Sequence, residues 1–236
     1  MYRAGVLTRK IDIGGVVSKV FDLYFRYAAV LLPVAAALFL IEAAFRLLGL
    51  ASTPLALAAG VVGLILSTVY TGIVVRLVDD VRDGRLDQSP GDLARSVGPV
   101  LLPLIAVSIL AGLGIAIGLL LLIVPGLILV TLWAVVAPVT VLEHPGVLAA
   151  FGRSRELVRG NGWQVFGVIV LFILIFIAIG IVLGIVGAVL GDAGEVILNY
   201  IGSVITAPLV ALASAVLYFE LREPGPEVPV APGVSE

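Results

Sequence analysis

The sequence predicts an all-α, polytopic membrane protein with six transmembrane helices arranged as three hairpins, and three observations support this fold class. The chain is 61% hydrophobic, and its mean hydropathy is +1.23. Only 13% of its residues are charged, against about a quarter in ordinary soluble domains. Six apolar stretches are each long enough to supply the roughly 20 helical residues that cross a bilayer. Lipid is therefore the expected solvent for most of the surface.

The predicted elements follow in order along the chain. Residues 1–26 form an amphipathic N-terminal segment, and the membrane domain covers residues 27–222. Within that domain the predicted crossings are residues 27–49, 54–76, 99–122, 125–143, 163–190 and 196–220. The first crossing lacks a small-residue cleavage site and is interpreted as a retained anchor. Residues 223–236 contain four prolines and few large apolar side chains, which predicts a disordered cytoplasmic tail.

The distribution of basic residues predicts which ends of the helices face the cytoplasm. The joints within the hairpins, residues 50–53, 123–124 and 191–195, contain no Lys or Arg. All of the 14 basic residues except Arg46 lie before the first crossing, between the hairpins or after the last crossing, with Arg76 at the boundary of the second crossing. Because basic residues accumulate in cytoplasmic loops, both termini are predicted to be cytoplasmic.

A short amphipathic helix is predicted before each hairpin, as the chain's internal repeat. In the first helix, apolar residues recur at helical spacing between residues 13 and 24. The second begins with Ser89 and Pro90, residues typical of a helix N-terminus, and the third begins at Pro145. Each is expected to lie in the headgroup layer of the membrane.

Two interpretations of these three helices stay open. They are either elbows that orient the hairpins, or surfaces that bind specific lipids or a partner protein. Because basic faces attract anionic headgroups, the second interpretation gives these candidate contacts to anionic lipid: Lys19, Arg26, Arg95, Arg153, Arg155 and Arg159.

The segment of residues 123–163 carries a resemblance to a known family. It contains Ile123-Val-Pro-Gly, then Trp133-Ala-Val-Val-Ala-Pro, then Phe151-Gly-Arg-Ser-Arg-Glu-Leu-Val-Arg-Gly-Asn161, with Trp163 close behind. This segment resembles the membrane domain attached to some bacterial glycerophosphoryl diester phosphodiesterases, and related six-span inner-membrane proteins. The resemblance implies a module of the bacterial cytoplasmic membrane that lacks the catalytic barrel of those enzymes.

The residue inventory argues against catalysis. Metal-assisted phosphodiester cleavage needs several converging His, Asp and Glu side chains, whereas His144 is the only histidine and suits a helix terminus. No phosphate-binding loop, zinc-protease motif or nucleophile elbow occurs. The chain has no cysteine and a net charge of -2, which gives no reason to expect a thiolate metal site or nucleic-acid binding. The sequence therefore predicts no enzyme, no cofactor and no metal.

Two groups of polar residues fall in or beside the predicted crossings. Glu42 and Arg46 are four residues apart and share a helix face, so they are interpreted either as a self-neutralised ion pair or as a site for a polar headgroup or solute. Asp192, Glu195 and Asn199 lie near the last hairpin joint. They are interpreted as ordinary loop residues or as ligands of a cation.

Glycine pairs four residues apart predict close helix packing in lipid, or a homo-oligomer interface. The pairs are Gly114 and Gly118, Gly180 and Gly184, and Gly187 and Gly191. Pro138 and Pro208 are expected to interrupt the fourth and sixth helices.

Two functions remain. The favoured one is a non-catalytic module that organises membrane lipid, or a membrane or cytoplasmic protein partner, at the cytoplasmic surface. The alternative is a small-solute or lipid permease whose path passes Glu42.

Overall fold

The computed structural model describes residues 10–49, 52–83, 85 and 87–222. The predicted tail at 223–236 and residues 1–9 of the predicted N-terminal segment lie outside the described residues. Within them the secondary structure is helical without strands, and six helices are long and apolar enough to cross a membrane. The prediction of an all-α, multi-pass membrane protein is therefore confirmed.

The first hairpin is preceded by a capped helix. Helix α1 spans Ile13–Arg26, and the two Asp12 carboxylate oxygens accept hydrogen bonds from the amides of Gly14 and Gly15 at 3.1 and 3.0 Å. Such a cap satisfies amides that would otherwise lack a partner at the helix start. Helix α2 spans Ala28–Gly49 and α3 spans Thr53–Asp80, followed by a 3₁₀ turn at Val81–Asp83.

The second hairpin contains a broken helix. Helix α4 spans Pro90–Val97, a 3₁₀ turn spans Gly98–Val100, and α5 spans Leu101–Leu121. The fourth candidate crossing consists of α6 (Ile123–Leu132) and α7 (Val136–Glu143). The break precedes Pro138 because proline offers no amide to the carbonyl four residues earlier. That carbonyl, of Ala134, accepts a hydrogen bond from the Ser214 hydroxyl at 2.8 Å.

The third hairpin turns at a single glycine. Helix α8 spans Val147–Val158, and α9 spans Gly162–Arg222 with a non-helical residue, Gly191, at φ 72°. We call Gly162–Gly187 the first arm of α9 and Gly194–Arg222 its second arm. Pro208 lies inside the second arm without ending it.

The apolar faces of the three short helices are buried against the protein. In α1 the buried residues include Val16 and Val20, and in α4 they are Leu93 and Val97. Helix α1 packs against the first arm of α9, where the rings of Phe21 and Phe172 stack at 6.4 Å. The amphipathic pattern is thus satisfied largely by protein packing. A lipid role for these helices depends on their charged faces and on a few exposed apolar residues.

Helix α3 and the second arm of α9 supply much of the core. Of their apolar windows, 44% and 39% are buried, against 11% for the first arm. Large side chains such as Leu77 of α3 and Leu212 of α9 are fully buried. The exposed aliphatic residues of the first arm are therefore available to contact lipid.

The bundle has two distinct ends. At the hairpin end, Glu42 of α2 and Asn199 of α9 line one small cavity below the Gly191 turn. At the charged end, Lys19 pairs with Glu220, and Arg153 pairs with Glu143. Helix α6 lines a cavity with residues 160–166 at the start of α9. The second hairpin therefore contacts both the beginning of α9, through α6, and its second arm, through α7.

Candidate functional site

A polar network at the charged end fixes α8 to the bundle. The Glu143 carboxylate accepts hydrogen bonds from Arg153 Nε at 2.8 Å and from the Tyr218 hydroxyl at 2.9 Å. Tyr218 in turn accepts one from Arg222 at 3.1 Å. The hydrogen bond with Glu143 raises the pKa of Arg153 above its ordinary value, so this guanidinium stays charged. The network joins α7, α8 and the second arm of α9.

Four of the six predicted lipid contacts are neutralised by a nearby carboxylate. Arg153 belongs to the network above, and Lys19 pairs with Glu220. The remaining two pairs lie within one helix each: Arg26 with Asp22 at 3.0 Å, and Arg95 with Asp92 at 2.9 Å. Their attraction for an anionic headgroup is reduced accordingly.

Arg155 and Arg159 differ from these four. Both are exposed, and neither has an ion-pair or hydrogen-bond partner for its side chain among the residues the structure covers. They are four residues apart and therefore neighbours on the helix surface. Arg159 caps the C-terminus of α8, where the helix dipole also favours a cation. Together they form a site of concentrated positive charge.

An apolar groove begins next to Arg159. It has a volume of about 490 Å³ and is lined from α6 by Leu127, Ile128 and Leu132, among others, and from α9 by Trp163 and Phe166. Trp163 is 83% exposed, and its ring meets that of Phe166 edge-on at 6.0 Å. Exposed tryptophan is typical of membrane–water interfaces.

His144 lies at the end of α7 in the left-handed conformation, with φ 53°. Its Nε2 lies 3.3 Å from Nη2 of Arg76. The Nε of Arg76 is buried and has no hydrogen-bond partner among the described residues. Across the described ranges, no three His, Asp or Glu side chains come together as a metal site would require.

The predicted intramembrane pair forms within the hairpin half of the bundle. Oε1 of Glu42 contacts Nε and Nη2 of Arg46 at 2.9 and 2.8 Å. Glu42 is only 9% exposed, and it fits there because Gly63 of α3 has no side chain: a Cβ on Gly63 would lie 2.7 Å from Oε1. The close approach of α2 and α3 thus depends on a glycine that the sequence analysis did not single out.

The third predicted polar group is only partly described. Asn199 donates a hydrogen bond to the backbone oxygen of Glu195 at 2.9 Å. Both residues line a cleft of about 510 Å³ between the two arms of α9. The side chain of Asp192 lies outside the described part.

The predicted packing glycines have different surroundings. A Cβ on Gly114 would lie 2.6 Å from the Trp133 ring, and one on Gly118 would lie 3.0 Å from the Gly126 Cα. One on Gly187 would make ordinary contact with Glu195 at 3.6 Å. At Gly180 and Gly184 a Cβ would meet open space, because both residues line the cleft between the two arms of α9. Gly191, with a φ of 72°, forms the turn between those arms.

Several residues in the segment that carries the family resemblance make specific contacts. Trp133 packs edge-on against Phe151 at 4.9 Å, and the Ser154 hydroxyl donates to the Leu132 carbonyl at 2.8 Å. The Asn161 side chain accepts a hydrogen bond from the Ile11 amide at 3.1 Å. Ile11 and Asn161 are 150 positions apart in the chain, so no local pattern of residues predicts their contact.

Tyr218 was missed altogether, since no local pattern around it indicates a polar partner.

Comparisons of the chain with protein-family models, with curated proteins and with solved structures find no match. The resemblance to the membrane domain of the phosphodiesterases therefore stays a prediction.

Proposed function

We propose that this protein is a non-catalytic module of the bacterial cytoplasmic membrane that binds an anionic phospholipid at its cytoplasmic face. The headgroup contacts Arg155 and Arg159, and an acyl chain lies in the groove between α6 and α9. The charged end of the bundle then faces the cytoplasm, in agreement with the distribution of basic residues along the chain.

The observation that carries this proposal is the position of unpaired charge beside an apolar groove. Arg159 directly precedes Gly160, a residue of the linker between α8 and α9 that lines the groove. Anionic phospholipids combine a negative headgroup with apolar chains, and each basic residue near a membrane surface contributes about 1 kcal/mol to binding them. A soluble anion would use the two arginines but not the groove.

Trp163 gives this site an intrinsic reporter. The chain contains two tryptophans, and Trp163 is the one that lines the groove. A phosphatidylglycerol with brominated chains quenches tryptophan only on close contact. In nanodiscs of phosphatidylcholine doped with this lipid, we expect quenching of the wild-type protein at low lipid fraction. We expect most of it to disappear in Trp163→Phe.

Removing the two charges should abolish the preference for anionic lipid. For Arg155→Gln/Arg159→Gln we expect a roughly 30-fold loss in affinity for phosphatidylglycerol relative to phosphatidylcholine, because two charges contribute about 2 kcal/mol. Arg26→Gln/Arg95→Gln removes the same charge elsewhere and should change the preference much less. Equal losses in the two double variants, or no loss in either, would contradict the proposal.

A protein partner at the same surface is the competing use of Arg155 and Arg159. It predicts that the wild-type protein shows no preference between the two lipids in the same nanodiscs. The permease alternative depends on the other end of the molecule, where the polar cleft lies.

A further inference from the structure

The cleft at the hairpin end has a polar wall and an open wall. From the second arm of α9, Glu195, Asn199, Ser203 and Thr206 line one side, at spacings that keep them on one helix face. The opposite wall includes Gly180 and Gly184, whose missing side chains leave open space. A polar volume of about 510 Å³ thus lies between two otherwise apolar helices, where polar groups are costly unless they have partners.

A second, smaller cavity lies beside this cleft and is lined by the side chain of Glu42. It has a volume of about 30 Å³, and Asn199 and Ser203 line both cavities. Glu42 is only 9% exposed, and both contacts from Arg46 go to the same oxygen, Oε1. Its other oxygen accepts no hydrogen bond in the ranges that the structure describes.

The hydrogen-bonding capacity left in the two cavities is mainly that of acceptors. The Asn199 side-chain amide donates to its own helix, and so does the Thr206 hydroxyl, at 2.8 Å to the Gly202 carbonyl. Lone pairs of the Asn199 and Thr206 oxygens remain. Among the described residues the Glu195 carboxylate has no ion-pair partner, and the Ser203 hydroxyl has no hydrogen-bond partner.

The charges of the lining residues sum to a negative value. Glu42 and Glu195 are acidic, and Arg46 is the single basic residue among the described side chains that line either cavity. Arg46 is already engaged by Glu42 and keeps half of its side chain exposed. A ligand that matches this wall carries one positive charge and several N–H donors.

We propose that the cleft binds a primary ammonium group. Its three N–H donors match the carboxylate of Glu195 and the side-chain oxygens of Asn199 and Ser203. A primary ammonium group can belong to either of two ligands, a soluble amine or the headgroup of an aminophospholipid. This site lies at the opposite end of the bundle from Arg155 and Arg159, so it does not depend on the function proposed above.

The full-length chain in phosphatidylcholine nanodiscs allows a direct test, because choline headgroups carry no N–H donor. In isothermal titrations we expect ethanolamine to bind and tetramethylammonium, which has the same charge without donors, to bind at least about tenfold more weakly. Equal binding of the two cations, or no binding of ethanolamine, would overturn the proposal.

Variants assign the binding to the cleft. Glu195→Gln should weaken ethanolamine binding about tenfold or more, as expected for the loss of a charge-assisted hydrogen bond, and Ser203→Ala should weaken it severalfold. Glu156→Gln, which removes an exposed acidic residue at the charged end, should bind ethanolamine as the wild type does. If Glu195→Gln also binds normally, the site is elsewhere and the proposal fails.

The same titration distinguishes the two sources of the ammonium group. Nanodiscs doped with phosphatidylethanolamine weaken ethanolamine binding if the headgroup occupies the cleft, and leave it unchanged if a soluble amine is the ligand. Either result supports the recognition of a primary ammonium group.

Discussion

Gly114 illustrates how a single residue sets the distance between two helices in this protein. Because Gly114 has no side chain, the Trp133 ring can pack against its backbone. A Cβ on Gly114 would lie only 2.6 Å from the nearest atom of that ring. Trp133 in turn packs against Phe151 of α8. In lipid, where apolar helices gain little by leaving the solvent, such close packing is a main source of association.

We expect Gly114→Ala to destabilise the protein by about 1–3 kcal/mol, the usual range for overpacking, because the large Trp133 ring must move to admit the methyl group. Gly112→Ala is a matched control, since a Cβ there meets open space. It should be neutral, or more stable by up to about 1 kcal/mol from helix propensity. Thermal unfolding in detergent measures both variants, and equal stabilities would contradict this account of the Gly114–Trp133 contact.

At the scale of elements, α8 is fixed to the bundle by its polar contacts as well as by its apolar face. Arg153 reaches Glu143 of α7, and Ser154 reaches the carbonyl of Leu132 at the break between α6 and α7. The proposed lipid site depends on this attachment, since Arg155 and Arg159 are presented by the same helix.

Glu143→Ala should loosen α8 and cost about 1–2 kcal/mol, because Arg153 and Tyr218 both lose their carboxylate. This loss of stability is small because the Arg153 side chain is 38% exposed and water screens its charge. Trypsin cleavage after Arg155 and Arg159 should become faster. Glu156→Ala is the control: its contact with Arg153 is 3.5 Å long and mostly exposed, so its loss should change little. Unchanged cleavage in Glu143→Ala would show that apolar packing alone holds α8.

At the scale of the whole molecule, the proposed topology places the hairpin end outside the cytoplasm. The chain has no cysteine, so one introduced cysteine is a unique label. A membrane-impermeant maleimide added to intact cells should label Ser52→Cys, between α2 and α3. It should label Gln88→Cys, which precedes α4, only after lysis. Labelling of both positions, or of Gln88→Cys alone, in intact cells would reverse or refute the topology.

The helices of this protein were predictable from the sequence, whereas most contacts of its buried polar residues were not. The helices were predictable because apolar length alone distinguishes a membrane crossing. The Glu42–Arg46 pair was also predictable, since residues four apart on a helix are neighbours whatever surrounds them. The partners of Glu143 and Asn161 were not, because they come from distant parts of the chain.

The sequence by itself determined the class of this protein and the number of its long apolar helices, and it predicted an amphipathic pattern for the three short helices. These properties follow from local composition and periodicity, which each segment carries without reference to the others. Only the tertiary structure decided that the apolar faces of the short helices are buried against the bundle. It also decided that Arg155 and Arg159 lack a carboxylate partner within the described residues, and that Gly180 and Gly184 line a polar cleft. Pairing and burial depend on which helices meet, and that choice is made by packing across the whole bundle.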